Sequence, residues 1–226
     1  ALQAAAIIGK EFSRPILTPV AELPDVDLDE ALSILKGGEF IYEQALYPVA
    51  EYSFKHPLTQ EVALGSQLHE RKRRLHARAA QALEASLADK LDGSAALIAY
   101  HWEEARENAQ AARWHRRAAE WIVGNDKVQA VRHWQHVRAL GSGLLDDNEV
   151  AGHVARACRA ILSLGGWRMG ISADEVNQIA DQGRFLAERV GDLSTQAVIL
   201  AAHGARHGVG GRADLYYKMA RESLAL

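Results

Sequence analysis

Proline sets the strongest limit on how this chain can fold. Pro15, Pro19 and Pro24 fall between residues 15 and 24, Pro48 and Pro57 bracket a short segment, and no proline follows before Leu226. Proline lacks the backbone N–H and clashes with the preceding helical turn. Only the stretch after residue 57 is therefore free to form an unbroken succession of helices. Its apolar spacing predicts helices over 94–106, 109–123, 127–140, 147–164, 173–190, 194–207 and 212–225. The breaks between them carry Asn108, Gly124-Asn125-Asp126, Gly141-Ser142-Gly143, Gly165-Gly166, Gly191-Asp192 and the run from Gly208 to Gly211, all turn formers.

Helices of this length joined by short polar turns give a unit of about 34 residues, the tetratricopeptide period. Each unit has an apolar face that it cannot bury alone, so stacking stabilises it. Residues 111–119 read as the second helix of one unit, and 194–207 with 212–225 as another. The stretch 141–172 fits the period worst.

The first 57 residues read differently. Short helices are expected at about 14–21 and 28–36, the second capped by Asp27 or Asp29 and stopped by Gly37-Gly38. Glu39-Phe40-Ile41-Tyr42 and Glu51-Tyr52-Ser53-Phe54 alternate polar and apolar residues, as two strands joined by a loop containing Pro48 would. Helices followed by a β-hairpin is the layout of a winged helix. Pro57 then suits the first position of a long helix. Leu58, Val62, Leu68, Leu75, Ala79, Ala82 and Leu83 fit one apolar stripe, with Gly65 a weak point and Asp92-Gly93 as the close. The expected organisation is a winged-helix-like domain at 1–57, a linker helix at 58–93 and tetratricopeptide-like repeats at 94–226, mainly α overall.

Composition narrows the function classes. The chain has 226 residues, 48% of them hydrophobic, enough for a substantial core, and a net charge of −3, which argues against a dedicated nucleic-acid domain. Cys158 is the single cysteine, so no disulfide can form within the chain and a reducing, cytoplasmic setting fits. No apolar run approaches the ~20 residues that span a bilayer. The chain starts Ala1-Leu2-Gln3-Ala4 without Met and ends in a helical pattern, so a segment of a longer protein is expected.

Residues 4–12 (Ala4-Ala5-Ala6-Ile7-Ile8-Gly9-Lys10-Glu11-Phe12) resemble the stretch that follows the nucleotide-binding domain in STAND-type signalling ATPases. Tyr52-Ser53-Phe54-Lys55-His56-Pro57-Leu58-Thr59-Gln60-Glu61-Val62-Ala63 resembles the Y-x-F-K-H-x-L-x-Q-E-x-A-Y signature of that group, with Leu64 replacing its final tyrosine. Arg74-Leu75-His76-Ala77-Arg78 and Ala99-Tyr100-His101-Trp102 match its linker helices. The resemblance covers about 1–140. It is to bacterial proteins that join a class III adenylate or guanylate cyclase domain, a STAND ATPase and tetratricopeptide repeats. It implies that ATP or ADP and Mg bind in domains upstream of this chain. It also implies that those ATPase and cyclase domains are partners within the same polypeptide.

No catalytic residue is expected here. Gly9-Lys10 is followed by Glu11 and lacks the glycine loop that a P-loop needs to cradle phosphates. By resemblance, His56 with Lys55 senses the β-phosphate of bound ADP, at a helix N-terminus suited to an anion. The plain alternative is a histidine that caps the junction. The basic run Arg71-Lys72-Arg73-Arg74, with Arg78, is either a partner-binding surface centred on Arg71 and Arg74 or a solvated helix face. Trp114 and Trp121, seven apart, either line a peptide groove or pack between repeats, as Trp102, Trp134 and Trp167 do on the same alternative. His133 with His136, and His203 with His207, share helix faces, but no Cys or Glu-x-x-His pattern accompanies them, so no metal site is expected.

The leading expectation is a non-catalytic regulatory segment that relays nucleotide state and binds an unknown protein or peptide on its repeat surface. It involves no membrane, and nucleic acid is disfavoured. The alternative is the corresponding segment of a LuxR-type ATP-dependent transcriptional regulator. The DNA reader of such a protein would lie beyond the repeats.

Overall fold

A computed structural model describes residues 1–45, 49–87, 91–164 and 170–226. The expected Pro48 loop, the Gly165-Gly166 break, Trp167 and residues 88–90 lie outside these. Among the described residues are twelve helices and three strands, so the chain is mainly α with one small sheet. It divides into two compact units, Ala1–Glu107 and Asn108–Leu226.

The first unit opens with α1 (Leu2–Ile8) and β1 (Glu11–Ser13), neither of which the residue pattern announces. Ala4 to Ile8 are all buried, so α1 shows no alternation of faces to read. β1 is three residues long and exists by pairing. It lies antiparallel to β3 (Glu51–Phe54), with Phe12 opposite Tyr52. The other side of β3 pairs antiparallel with β2 (Ile41–Ala45), giving the sheet order β1-β3-β2 with an irregularity between Glu43 and Ala45.

Between β1 and β2 come α2 (Arg14–Ala21), with Pro15 in its first turn, and α3 (Asp25–Gly37). α3 starts earlier than its polar residues suggest. Its N-cap is Pro24 rather than Asp27 or Asp29, and the acidic pair Asp25 and Asp27 instead occupies the first turn, where the helix dipole favours negative charge. Gly38 closes it by donating its N–H to the Ile34 carbonyl.

The single helix expected over 58–93 is three. α4 (Pro57–Gly65) stops at the weak glycine, α5 (His69–Ser86) follows after Ser66-Gln67-Leu68, and α6 (Leu91–Glu104) carries Asp92-Gly93 inside its first turn instead of ending there. The break rotates the apolar stripe out of register. Leu75, Ala79 and Ala82 of α5 enter one core with Phe12, Leu17, Leu28, Ile41 and Phe54, while Leu58, Val62 and Leu68 are left 66%, 63% and 80% exposed. Arg78 of α5 adds an ion pair to Glu22 at 2.7 Å and a hydrogen bond to the Pro19 carbonyl at 3.0 Å. α5 is thus a wall of the sheet-bearing unit rather than a free linker.

The second unit is a stack of helical hairpins: α7 (Asn108–Ile122), α8 (Lys127–Gly141), α9 (Asn148–Leu164), α10 (Ala173–Arg189), α11 (Leu193–Val209) and α12 (Ala213–Leu224). These bounds lie within two residues of the expected ones because side-chain caps fix the starts. Asp126, Ser172 and Asp192 each accept a hydrogen bond from the backbone N–H three residues on. Consecutive helices pack together, and α9 also touches both α7 and α11.

Glycine permits the closest approaches in this stack. A Cβ on Gly141 would sit 2.5 Å from Val154 Cγ2, and one on Gly183 would sit 2.6 Å from Cys158 Cβ. The hairpins start at Asn108, Asn148 and Leu193, 40 and 45 residues apart. The unit is therefore longer than the 34-residue period read from helix lengths alone.

Candidate functional site

The signature residues fall where β3 passes into α4. The N–H of Phe54 donates to the Lys10 carbonyl and that of Lys55 to the Phe40 carbonyl, both at 3.0 Å, which fixes the strand end. His56 follows in an extended conformation (φ −129, ψ 131) as the N-cap of α4, with Pro57 opening the helix. The His56 side chain makes no capping hydrogen bond and is exposed, while its carbonyl accepts from the Thr59 N–H at 3.0 Å.

Lys55 is tied down: its Nζ lies 2.8 Å from Glu39 Oε2. Glu39 adopts φ 58 at the exit from α3, a left-handed conformation costing a non-glycine residue on the order of 1 kcal/mol. The hydrogen bond from Lys55, with lesser help from the Lys55 and His56 charges, holds the Glu39 carboxyl below its usual range. The pair is exposed, and solvent screens such pairs. An arriving anion can displace Glu39 from Lys55 at little cost.

The basic run is largely neutralised. Arg74 and Arg78 both reach Glu22, Lys72 reaches Glu104 at 3.4 Å, and Arg73 pairs with Glu70 and donates to the Ala105 carbonyl. Of the two partner-binding candidates there, Arg74 has an internal role. Arg71 is exposed and has no ion pair among the described residues.

Trp114 and Trp121 do not form one aromatic surface. Trp114 is 6% exposed, with the Arg117 guanidinium carbon 5.2 Å from its ring centroid, whereas Trp121, in the last turn of α7, is 58% exposed. Trp114 packs, and only Trp121 is open to a partner. Trp102 and Trp134 are also buried, and the Trp102 indole donates to Glu84 Oε1 at 2.6 Å.

Two histidine pairs join across helices, and one joins along a helix. His76 of α5 and His101 of α6 are fully buried, with Nδ1 atoms 3.0 Å apart, so one ring donates and the other accepts. Burial pushes the pKa of His76 down to about 4 and that of His101 down to about 3, with Lys72 adding to the first shift and His76 to the second. His115 and His133 meet in the same way at 2.9 Å, and His136 stacks on His115 with centroids 4.6 Å apart. His203 bonds to Asn177 Oδ1 at 2.8 Å and stacks on His207. Spacing within one helix could not signal the His76–His101 or His115–His133 pairs, whose members are 25 and 18 residues apart. Cys158 is buried and its thiol is pushed up to about 11 by burial, so it is held as an inert thiol.

Comparison of the chain with protein-family models, curated proteins and solved structures finds no match.

Proposed function

We propose that this chain is a non-catalytic regulatory and protein-interaction segment of a nucleotide-dependent signalling protein of the STAND ATPase type. It relays the nucleotide state of an upstream ATPase to an output such as a cyclase. The observation that carries the reading is the exposure of α4. His56 makes no side-chain cap at its start, and Leu58 and Val62, four residues apart on one face, are 66% and 63% exposed. An apolar helix face beside an exposed imidazole and a displaceable Lys55 suits docking against a domain that presents a phosphate.

Two further features support it. The order α1-β1-α2-α3-β2-β3, with β3 central in the sheet, suits a winged-helix-like arrangement. The hairpin stack of the second unit suits a tetratricopeptide-like superhelix with lengthened units, which offers Trp121 to a protein partner.

The test is calorimetric titration of ADP and ATP into the ATPase domain, alone and with this chain. ADP binding is expected to tighten in the presence of the chain. His56→Ala should remove the gain at the phosphate, and Leu58→Asp with Val62→Asp should remove it by undocking. Nucleotide binding indifferent to the chain and to both variants would overturn the relay.

A further inference from the structure

Within the second unit, between the end of α9, the start of α10 and α11, lies a cavity of about 850 Å3. That is within the range of pockets that take small organic ligands. Its walls are aliphatic. Ile171 and Val176 form one side, and Val198, Ala202 and Ala205 of α11 form the other. The α11 residues recur at steps of four and three, so they make a stripe of their own. It is distinct from the face that carries Ile199, Leu200 and His203 into the interior. α11 is therefore apolar on two faces, and only one of them is used by the core.

Ser163 and Asn177 add neutral polar groups from α9 and α10, and the basic groups of the cavity gather at the C-terminal end of α11. Arg206, His207 and Arg212 line it there, and among the described residues no aspartate or glutamate lines it. Arg206 has no ion pair among the described residues, and Arg212 reaches only Asp214, at 3.8 Å. A guanidinium beside an apolar trough with no internal carboxylate is matched by a ligand that brings its own. Val198 and Arg206 are eight residues apart on a helix, about 12 Å at 1.5 Å per residue, so the apolar body and the charged head fall at opposite ends.

We propose that this cavity binds an amphipathic organic anion, its apolar body lying along Val198, Ala202 and Ala205 and its carboxylate held by Arg206 and Arg212. A bidentate guanidinium–carboxylate contact selects the head, and the aliphatic trough selects the tail. This site is independent of the α4 surface and of the relay reading.

The test uses the whole chain with decanoate as probe and decanol as its uncharged counterpart, both followed by titration calorimetry. Decanoate should bind at one site and decanol at least tenfold more weakly. Arg206→Gln should weaken decanoate about tenfold and leave decanol unchanged. Ala205→Trp, at an exposed position, should abolish binding of both, while Arg221→Gln on α12 should change neither. One variant removes the charge and the other fills the apolar trough, so if one fails to fold the other still decides. Absence of saturable decanoate binding overturns the proposal. So does equal affinity for decanol, or binding that survives both cavity variants.

Discussion

Two glycine-to-alanine changes in neighbouring helices should move stability in opposite directions. At Gly183 of α10 an added methyl would lie 2.6 Å from Cys158 Cβ and 2.7 Å from Ile199 Cδ1, against roughly 3.5–4.0 Å for comfortable carbon contact. Both neighbours are fully buried. Cys158 Cβ is fixed by its backbone and cannot rotate away, so α9 and α10 must separate. Overpacking of this kind costs about 3 kcal/mol at the upper end of its range. The better helix propensity of alanine returns about 1 kcal/mol, leaving Gly183→Ala about 2 kcal/mol less stable.

At Gly152 of α9 an added Cβ meets nothing within 4 Å, so only the propensity gain applies and Gly152→Ala should be up to about 1 kcal/mol more stable. Urea unfolding followed by circular dichroism measures both. Ile199→Val, which removes Cδ1, should recover part of the loss when combined with Gly183→Ala, by about 1 kcal/mol relative to additivity. Gly183→Ala matching the parent in stability, or Gly152→Ala losing as much as Gly183→Ala, would refute the close-packing account of this hairpin stack.

Acid should destabilise the fold well before the carboxylates titrate. Burial lowers the folded pKa of His76 to about 4 and of His101 to about 3, and also lowers those of His133, His153 and His203, while the unfolded chain takes up protons near 6.5. The stabilisation is therefore complete above about pH 6.5 and is lost as pH falls towards the folded values. Each of His76 and His101 contributes a slope of at most about 1.4 kcal/mol per pH unit between pH 6 and 5. Urea midpoints that stay flat from pH 7 to 5 would contradict this. At the start of α11, Asp192 Oδ1 accepts from Thr195 N–H and Oδ2 from Thr195 Oγ1, and Arg156 lies at 3.4 Å. Although burial pushes its pKa up, these contacts outweigh it and hold the carboxyl below the usual range. Asp192→Ala should cost about 1–2 kcal/mol in the same unfolding assay and Asp192→Asn clearly less, since asparagine keeps the cap; equal losses would assign the effect to the Arg156 pair.

The proline-free run, the apolar spacing and the turn-forming breaks were enough to place α7 to α12 from residue pattern alone, and the structure adds the caps Asp126, Ser172 and Asp192 at three of their starts. Helical periodicity and capping act between residues no more than four apart, so the local sequence carries them in full. What depends on distant partners was not legible. α1 and β1 take their form from burial in the first unit's core and from pairing with β3. The break at Ser66-Gln67-Leu68 turns one apparent stripe into a buried half and an exposed half. Trp114 and Trp121 have the spacing of one face but opposite exposure, and His76 finds His101 only because α5 lies against α6. The sequence by itself determined where the helices of the second unit begin and end. Which of their apolar and basic residues are spent on the chain's own packing, and which are left for a ligand, was decided only when those helices packed, because burial belongs to a pair of surfaces and not to either one.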